Sequence, residues 1–196
     1  MKKTTNRWNA DGYTATYRAA VSTIDTMIKP HILSKIDIKR GATVLECGIG
    51  SGKWSAGFAL LGYHVYAMDN LEAMVQRAYD NFPNIQFQGI VKDIRDPPLM
   101  DHPVDLIFNE GVIEHFLDDD ERKGVLTNFY NAVRGYVSII VPYKSEEEDE
   151  IFYTKKKLRD ELKDVGFSIL NTYEIIFLSN DQVTTRILIG VNANKK

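Results

Sequence analysis

Thr43-Val44-Leu45-Glu46-Cys47-Gly48-Ile49-Gly50-Ser51-Gly52 is the stretch on which the fold turns. Its first half is a short β-prone run and its second half sets glycines at alternating positions. Trp54, Phe58 and Leu61 then recur at helical spacing up to Gly62. Strand, glycine turn and helix in that order open an α/β sheet. Such glycines permit unusual φ values and bring a ligand against bare backbone, although a tight βα connection with no ligand uses them too. Two phosphate-binding patterns fail on spacing. A dinucleotide fingerprint wants G-x-G-x-x-G, and here the third glycine comes one residue early. A Walker A loop wants four residues between its glycine and G-K-[ST], whereas Gly48 and Gly52 enclose three and Trp54 follows Lys53.

Downstream, the same alternation repeats. His64 to Met68 reads as a strand ending at Asp69, and Leu71, Met74, Val75 and Ala78 form a helical stripe stopped near Pro83. Ile85 to Ile90 and Val104 to Phe108 are further strands, separated by an irregular connection broken at Pro97-Pro98. Asp118 with Glu121 forms a capping-box signature for a helix buried through Val125, Leu126, Phe129, Tyr130 and Val133. Tyr136 to Val141 is continuously apolar, as suits a strand buried on both faces. Leu158, Leu162 and Val165 mark a helix ended by Gly166. Phe167 to Leu178 and Thr184 to Val191 then predict an antiparallel hairpin turning near Asn180-Asp181. Upstream, Tyr17, Val21, Ile24 and Ile28 share a helical face that Pro30 interrupts or restarts. The expectation is a doubly wound α/β sheet, mainly parallel, finishing in an antiparallel hairpin.

The whole chain supports one unit. Its 196 residues suit a single domain, 1–196, with 1–40 as a helical lead-in and 41–196 as the core. Hydrophobic residues at 44% and charged residues at 26% are ordinary globular usage. Lys plus Arg number 24 against 27 Asp plus Glu, a formal charge of -3, which argues against nucleic acid as a partner. The single cysteine, Cys47, excludes an internal disulfide and a cysteine-rich zinc site, so a reducing cytoplasmic setting is expected. Met1 to Asn9 is polar and basic with no signal-like apolar run after it, and no stretch is long enough to span a membrane. Glu146 to Glu150 reads as a solvated acidic loop.

In such sheets ligands lie beyond the carboxyl ends of the strands, at the point where strand order reverses. Asp69, ending the second strand, can accept both hydroxyls of a ribose, and an N-cap role for it is compatible with that. Asp93, just past the third strand, can accept an exocyclic amine while Ile94 packs on a ring; a surface-turn aspartate fits the position equally well. Together with Asp105-Leu106-Ile107-Phe108-Asn109 and Gly111-Val112-Ile113-Glu114-His115-Phe116, these motifs resemble, in order, those of class I S-adenosylmethionine-dependent methyltransferases. The resemblance spans Thr43 to Val191. It implies a seven-stranded sheet of order 3-2-1-4-5-7-6, strand seven antiparallel, with helices on both faces.

By that resemblance S-adenosylmethionine is the cofactor and S-adenosylhomocysteine the product. Glu46 would lie near the methionine amino group, and Gly48, Gly50 and Gly52 would line methionine and ribose. Asp69 would bind the ribose hydroxyls, and Asn70 would flank adenine. Asp93 and Ile94 would hold the other edge of the base, and the Asn109 backbone carbonyl would face the methionine part. His115 is the candidate for taking an acceptor proton, and a histidine packed at the strand-to-helix turn is the plainer reading. Glu110, Glu114 and His115 are similar to the E-x-x-E-H metal cluster of some RNA methyltransferases, but the carboxylates are four apart rather than three, and no metal is expected. Strand four ends in Asn109-Glu110-Gly111-Val112 rather than the [DN]-P-P-[YF] of base-amine enzymes, which points to a small-molecule acceptor. Arg7, Trp8, Tyr13, Tyr17 and Arg18 resemble an aromatic lid, with Tyr143 on the same rim; packing of a helix on the sheet would use those aromatics as well. A nicotinamide oxidoreductase is disfavoured by the glycine spacing and the lack of a Tyr-x-x-x-Lys pair. A cofactor-binding module that transfers nothing is the alternative outside catalysis. Monomer or homodimer is expected.

Overall fold

The strands β1 (Thr43–Cys47), β2 (His64–Asp69), β3 (Gln88–Val91), β4 (Val104–Glu110), β5 (Val133–Pro142), β6 (Phe167–Leu178) and β7 (Thr185–Lys195) form one sheet. Their order is β3-β2-β1-β4-β5-β7-β6. Neighbours run parallel except β7, which is antiparallel to both β5 and β6. This is the order that the resemblance implied. The computed structural model describes residues 9–143, 150–151, 153–178 and 185–195. Arg7, Trp8, the acidic run before Glu150 and the Asn180-Asp181 turn lie outside the described residues. Among the described residues no helix is long and apolar enough to cross a membrane.

Strand pleating sorts the core onto two faces. Val44, Val65, Leu106 and Phe108 pack with α2 (Lys53–Leu60) and the N-terminal helices. Leu45, Cys47, Ile107 and Ile139 pack with α4 (Asp119–Ala132) and α5 (Lys155–Asp164). α3 (Glu72–Asn81) covers Ala67 through Met74 and Ala78. The Asp118 side chain accepts the Glu121 N–H at 2.9 Å, as its capping signature predicts.

The N-terminal helix departs from its expected stripe. α1 (Tyr17–Thr23) passes into a π-helical stretch, Ile24–Leu33, with Pro30 inside it. The buried set is Ala20, Ile24, Met27, Ile28 and Ile32, and Tyr17 is left 61% exposed. The reason is the crossing with α2. Gly57 has no side chain there, and a Cβ on it would lie 2.8 Å from Ile28 Cδ1 and 3.4 Å from Ile24 Cγ1. That contact selects the Ala20-Ile24-Ile28 face.

Several strand boundaries also differ. β3 starts at Gln88 rather than Ile85, whose N–H turns back to the Phe82 carbonyl at 3.1 Å. β5 starts at Val133 because α4 ends at Ala132 and runs straight into it. β7 continues to Lys195, past the apolar run. The Nδ2 of its buried Asn192 donates to the His31 carbonyl at 2.7 Å and to Asn171 Oδ1 at 2.9 Å, while its Oδ1 has no hydrogen-bond partner among the described residues.

Candidate active site

After β3 the chain crosses to the far side of β1 and pairs β4 there, so the strand order reverses between β1 and β4 and the switch point lies beyond their carboxyl ends. The glycine turn lies at that point. Gly48, Gly50 and Gly52 have φ of 85°, 50° and 78°. A Cβ at Gly48 would lie 2.2 Å from Val112 Cγ2, so the turn after β4 settles onto the turn after β1 only because position 48 has no side chain. The Gly48 N–H meanwhile donates to the Met68 carbonyl of β2 at 2.8 Å.

Alternation along β1 sends Glu46 to the α2 face, where it is 2% exposed. Its Oε2 accepts the Ser55 N–H at 2.9 Å and also the Ser55 hydroxyl. Burial pushes this carboxyl up to about 8; the Ser55 donors oppose the shift, Glu110 adds to it and Lys53 opposes it. Glu110 accepts the Trp54 Nε1–H at 3.2 Å. On the opposite face, Asn109 is fully buried and donates through Nδ2 to the Cys47 carbonyl at 2.7 Å. Its Oδ1 has no hydrogen-bond partner among the described residues.

Asp69 ends β2 against the glycine turn. Its Oδ1 accepts the Leu71 N–H at 3.0 Å, and the N–H groups of Ile49, Asn70 and Gly50 also act on the carboxylate. Burial raises its pKa and those donors pull the other way. Asn70 is exposed and Ile94 is buried behind the third strand. Asp93 is gripped by Arg95, whose Nε lies 2.9 and 3.0 Å from its two oxygens, and the side-chain bonds from Arg95 hold its carboxyl below the usual range. Arg95 reaches on to Glu121 at 2.9 Å.

The N-terminal segment crosses the same turn. The Tyr13 ring lies 3.6 Å from where a Gly50 Cβ would be. Asn81, at the end of α3, donates to the carbonyls of both Tyr13 and Ser51, at 2.8 and 2.9 Å. Arg77 pairs with Asp11 at 2.6 Å. Tyr17, the first residue of α1, is mostly exposed. Tyr143, half-buried past β5, donates its N–H to the Ile187 carbonyl at 2.8 Å and bridges to Tyr153. His115 is half-buried and closes the short 3-10 turn Ile113–His115; its N–H donates to the Val112 carbonyl at 3.1 Å. It therefore shares a turn with the side chain that packs on Gly48.

The structure thus gathers Glu46, the three glycines, Asp69, Asn109 and Tyr13 around one switch point. The donor set fits an adenosyl amino acid: a buried carboxylate suits an ammonium, a strand-end carboxylate suits a vicinal diol, and Asn109 Oδ1 is a spare buried acceptor. Sequence reasoning did not find Ser55, Asn81, Val112 or Arg95. Asn81 near a helix end and Ser55 one turn into α2 carry no signal until the partners they bond are known.

A family model described as a methyltransferase domain matches residues 44–135. Phosphoethanolamine N-methyltransferase of Triticum aestivum is 30% identical over 105 residues, 51% of this chain and 20% of that protein. The match therefore spans about a fifth of the length of such curated relatives. An S-adenosylmethionine-dependent methyltransferase of Methanosarcina mazei superposes with a TM-score of 0.71 at 16% identity, covering 85% of this chain and 97% of that one. Magnesium protoporphyrin IX methyltransferase from Synechocystis PCC 6803, with bound SAH, gives 0.68 at 17% identity, covering 91% and 83%. These two likenesses establish the shared fold. A methyltransferase-domain model thus matches the segment that carries the glycine turn, and the strand order is that of the class I, Rossmann-like fold shared with these methyltransferase structures.

Proposed function

We propose that this chain transfers a methyl group from S-adenosylmethionine to an oxygen or nitrogen of a small molecule. The observation that carries the reading is the placing of two carboxylates, Glu46 and Asp69, near the carboxyl ends of adjacent strands that flank one glycine turn. The bound cofactor supplies an electrophilic methyl carbon on a sulfonium. The chain's own work is alignment and exclusion of water. Glu46 holds the amino acid ammonium, the Gly48, Gly50 and Gly52 backbone lines methionine and ribose, and Asp69 takes the ribose hydroxyls. Asn70 and Ile94 flank adenine. Asp93 meets the adenine amine through an oxygen it shares with Arg95. The Asn109 backbone carbonyl faces the methionine part.

On the acceptor side, residues 1–40 act as a lid on the 41–196 core. Tyr13, Tyr17 and Tyr143 contact the acceptor, and His115 takes its proton where the acceptor atom carries one. A small acceptor is supported by the formal charge of -3 and by the relatives, whose names specify phosphoethanolamine and magnesium protoporphyrin IX. A soluble cytoplasmic monomer or homodimer is part of the same reading, with neither nucleic acid nor membrane as partner.

Parallel calorimetric titration with S-adenosylmethionine, S-adenosylhomocysteine, NAD and ATP tests the cofactor. Binding of the first two alone is expected, and binding of NAD without them overturns the assignment. A screen of amines and hydroxyl compounds for S-adenosylhomocysteine release then tests transfer. Tight cofactor binding with no turnover across the screen would make the chain a non-catalytic binding module.

A further inference from the structure

Beside the cofactor cradle, two segments bring together a second set of side chains. Glu114 and His115 close the turn after β4, and Glu150 arrives from the segment after β5. One ligand-type atom of each, a carboxylate oxygen or an imidazole nitrogen, lies within 4.8 Å of the others. The convergence is built into the backbone. The Ile151 N–H donates to the Glu114 carbonyl at 2.9 Å, joining the two segments through atoms that are not themselves ligands. Ile113 and Ile151, each flanking a member of the set, are buried in the same apolar cluster. Both backbone segments are therefore anchored from below, at positions that bring the three side chains together.

We propose that Glu114, His115 and Glu150 bind one divalent first-row transition cation. Two carboxylates and an imidazole are the donors such an ion prefers; the imidazole favours manganese, iron, cobalt or zinc over magnesium or calcium. Ligands around a tetrahedral ion at bonds of about 2.0–2.2 Å stand roughly 3.3–3.6 Å apart, so the widest separation allowed by the set closes by about 1.2–1.5 Å, which side-chain rotation supplies. Glu114 is 1% exposed, and a carboxylate at that depth gains most from a full positive charge at bonding distance. The expectation of no metal followed from the spacing of Glu110 and Glu114. Glu110 is committed to Trp54, and the third donor comes from a residue distant in sequence. One imidazole nitrogen cannot hold a cation and a proton together, so cation occupancy and proton acceptance through that nitrogen exclude each other.

The test is titration of chelator-treated, full-length protein with Mn²⁺ and with Zn²⁺, followed by calorimetry, with free Mn²⁺ also read by electron paramagnetic resonance. One saturable site is expected. Glu150→Gln and His115→Asn should each weaken it at least about tenfold, since even changes behind the ligands cost metal sites that much. The exposed control Asp101→Asn should leave it unchanged. Thermal melts matching the wild type show that the variants fold, and Glu150→Gln, on the outer segment, is the variant least exposed to that risk. Absence of a saturable site, or equal affinity in wild type and both ligand variants, overturns the proposal. S-adenosylmethionine titration of the same samples keeps the readings apart: cofactor binding without cation binding discards this inference and leaves the proposed function standing.

Discussion

Ser55 holds the Glu46 carboxylate with two donors, its amide at 2.9 Å and its hydroxyl, and both residues are buried. Even so, burial wins and the carboxyl titrates at about 8 instead of its ordinary 4.5. The folded state therefore binds a proton more tightly than the unfolded chain. The stabilising contribution is fully present below 4.5 and is lost as pH rises toward 8, with a slope of at most ~1.4 kcal/mol per pH unit. Glu46→Gln should flatten that part of the profile. Denaturant unfolding of both proteins from pH 5 to 9 measures the difference, and parallel profiles would place the titration elsewhere.

An ammonium brought to Glu46 reverses the preference. Cofactor affinity should then rise with pH up to about 8 and level off, with a proton released on binding below that value. Calorimetry in buffers of different ionisation enthalpy counts the proton. No release at pH 7 would remove Glu46 from the ammonium site.

Asp69→Ala should lower S-adenosylmethionine affinity by roughly 10- to 100-fold, the ~1.5–3 kcal/mol of a charged hydrogen-bonding group. The variant also loses the 3.0 Å bond from the Leu71 N–H, so a melting control is needed. Affinity within twofold of wild type would show that the carboxylate caps the helix and does nothing more.

Gly48→Ala should destabilise on two counts. The residue sits at φ 85°, which costs a side chain roughly 1–2 kcal/mol, and its Cβ would meet Val112 Cγ2 at 2.2 Å. Overpacking of this kind costs roughly 1–3 kcal/mol. Val112→Ala in the same chain should recover the overpacking part and leave the backbone part. A double-mutant cycle of unfolding free energies reads the coupling, and strict additivity would mean that the two turns do not press on one another.

His115→Ala should lower kcat more than it lowers cofactor affinity once an acceptor is known. Steady-state kinetics with calorimetry on the same preparation gives both numbers. Wild-type turnover would leave the imidazole without a part in proton transfer.

The alternation of strands and helices and the residues at the strand ends were legible because their signals are local, and the strand order came with the resemblance they carry. A β-prone run closed by alternating glycines and an aspartate ending the next strand each declare themselves within a few residues. The reversal of strand order then brings the strand ends together. The N-terminal helix was read less well, since its buried face is chosen by where Gly57 lets Ile24 and Ile28 in, not by its own periodicity. The same holds for the far end of β7, where the Nδ2 of buried Asn192 donates to the His31 carbonyl and to Asn171.

What the sequence by itself determined is the architecture and the glycine turn with its two acidic strand ends, because backbone conformation and pleat alternation depend on near neighbours. Only the tertiary structure decided which donors hold those acids, that Arg95 already grips Asp93, that Asn81 ties the Tyr13 segment to the turn, and that Glu150 joins Glu114 and His115. The Asn81–Tyr13 and Glu150–Glu114 pairings link residues far apart in the chain. Long-range contacts between polar side chains leave no periodic trace in the sequence, so they become visible only when the packed core has set the distances.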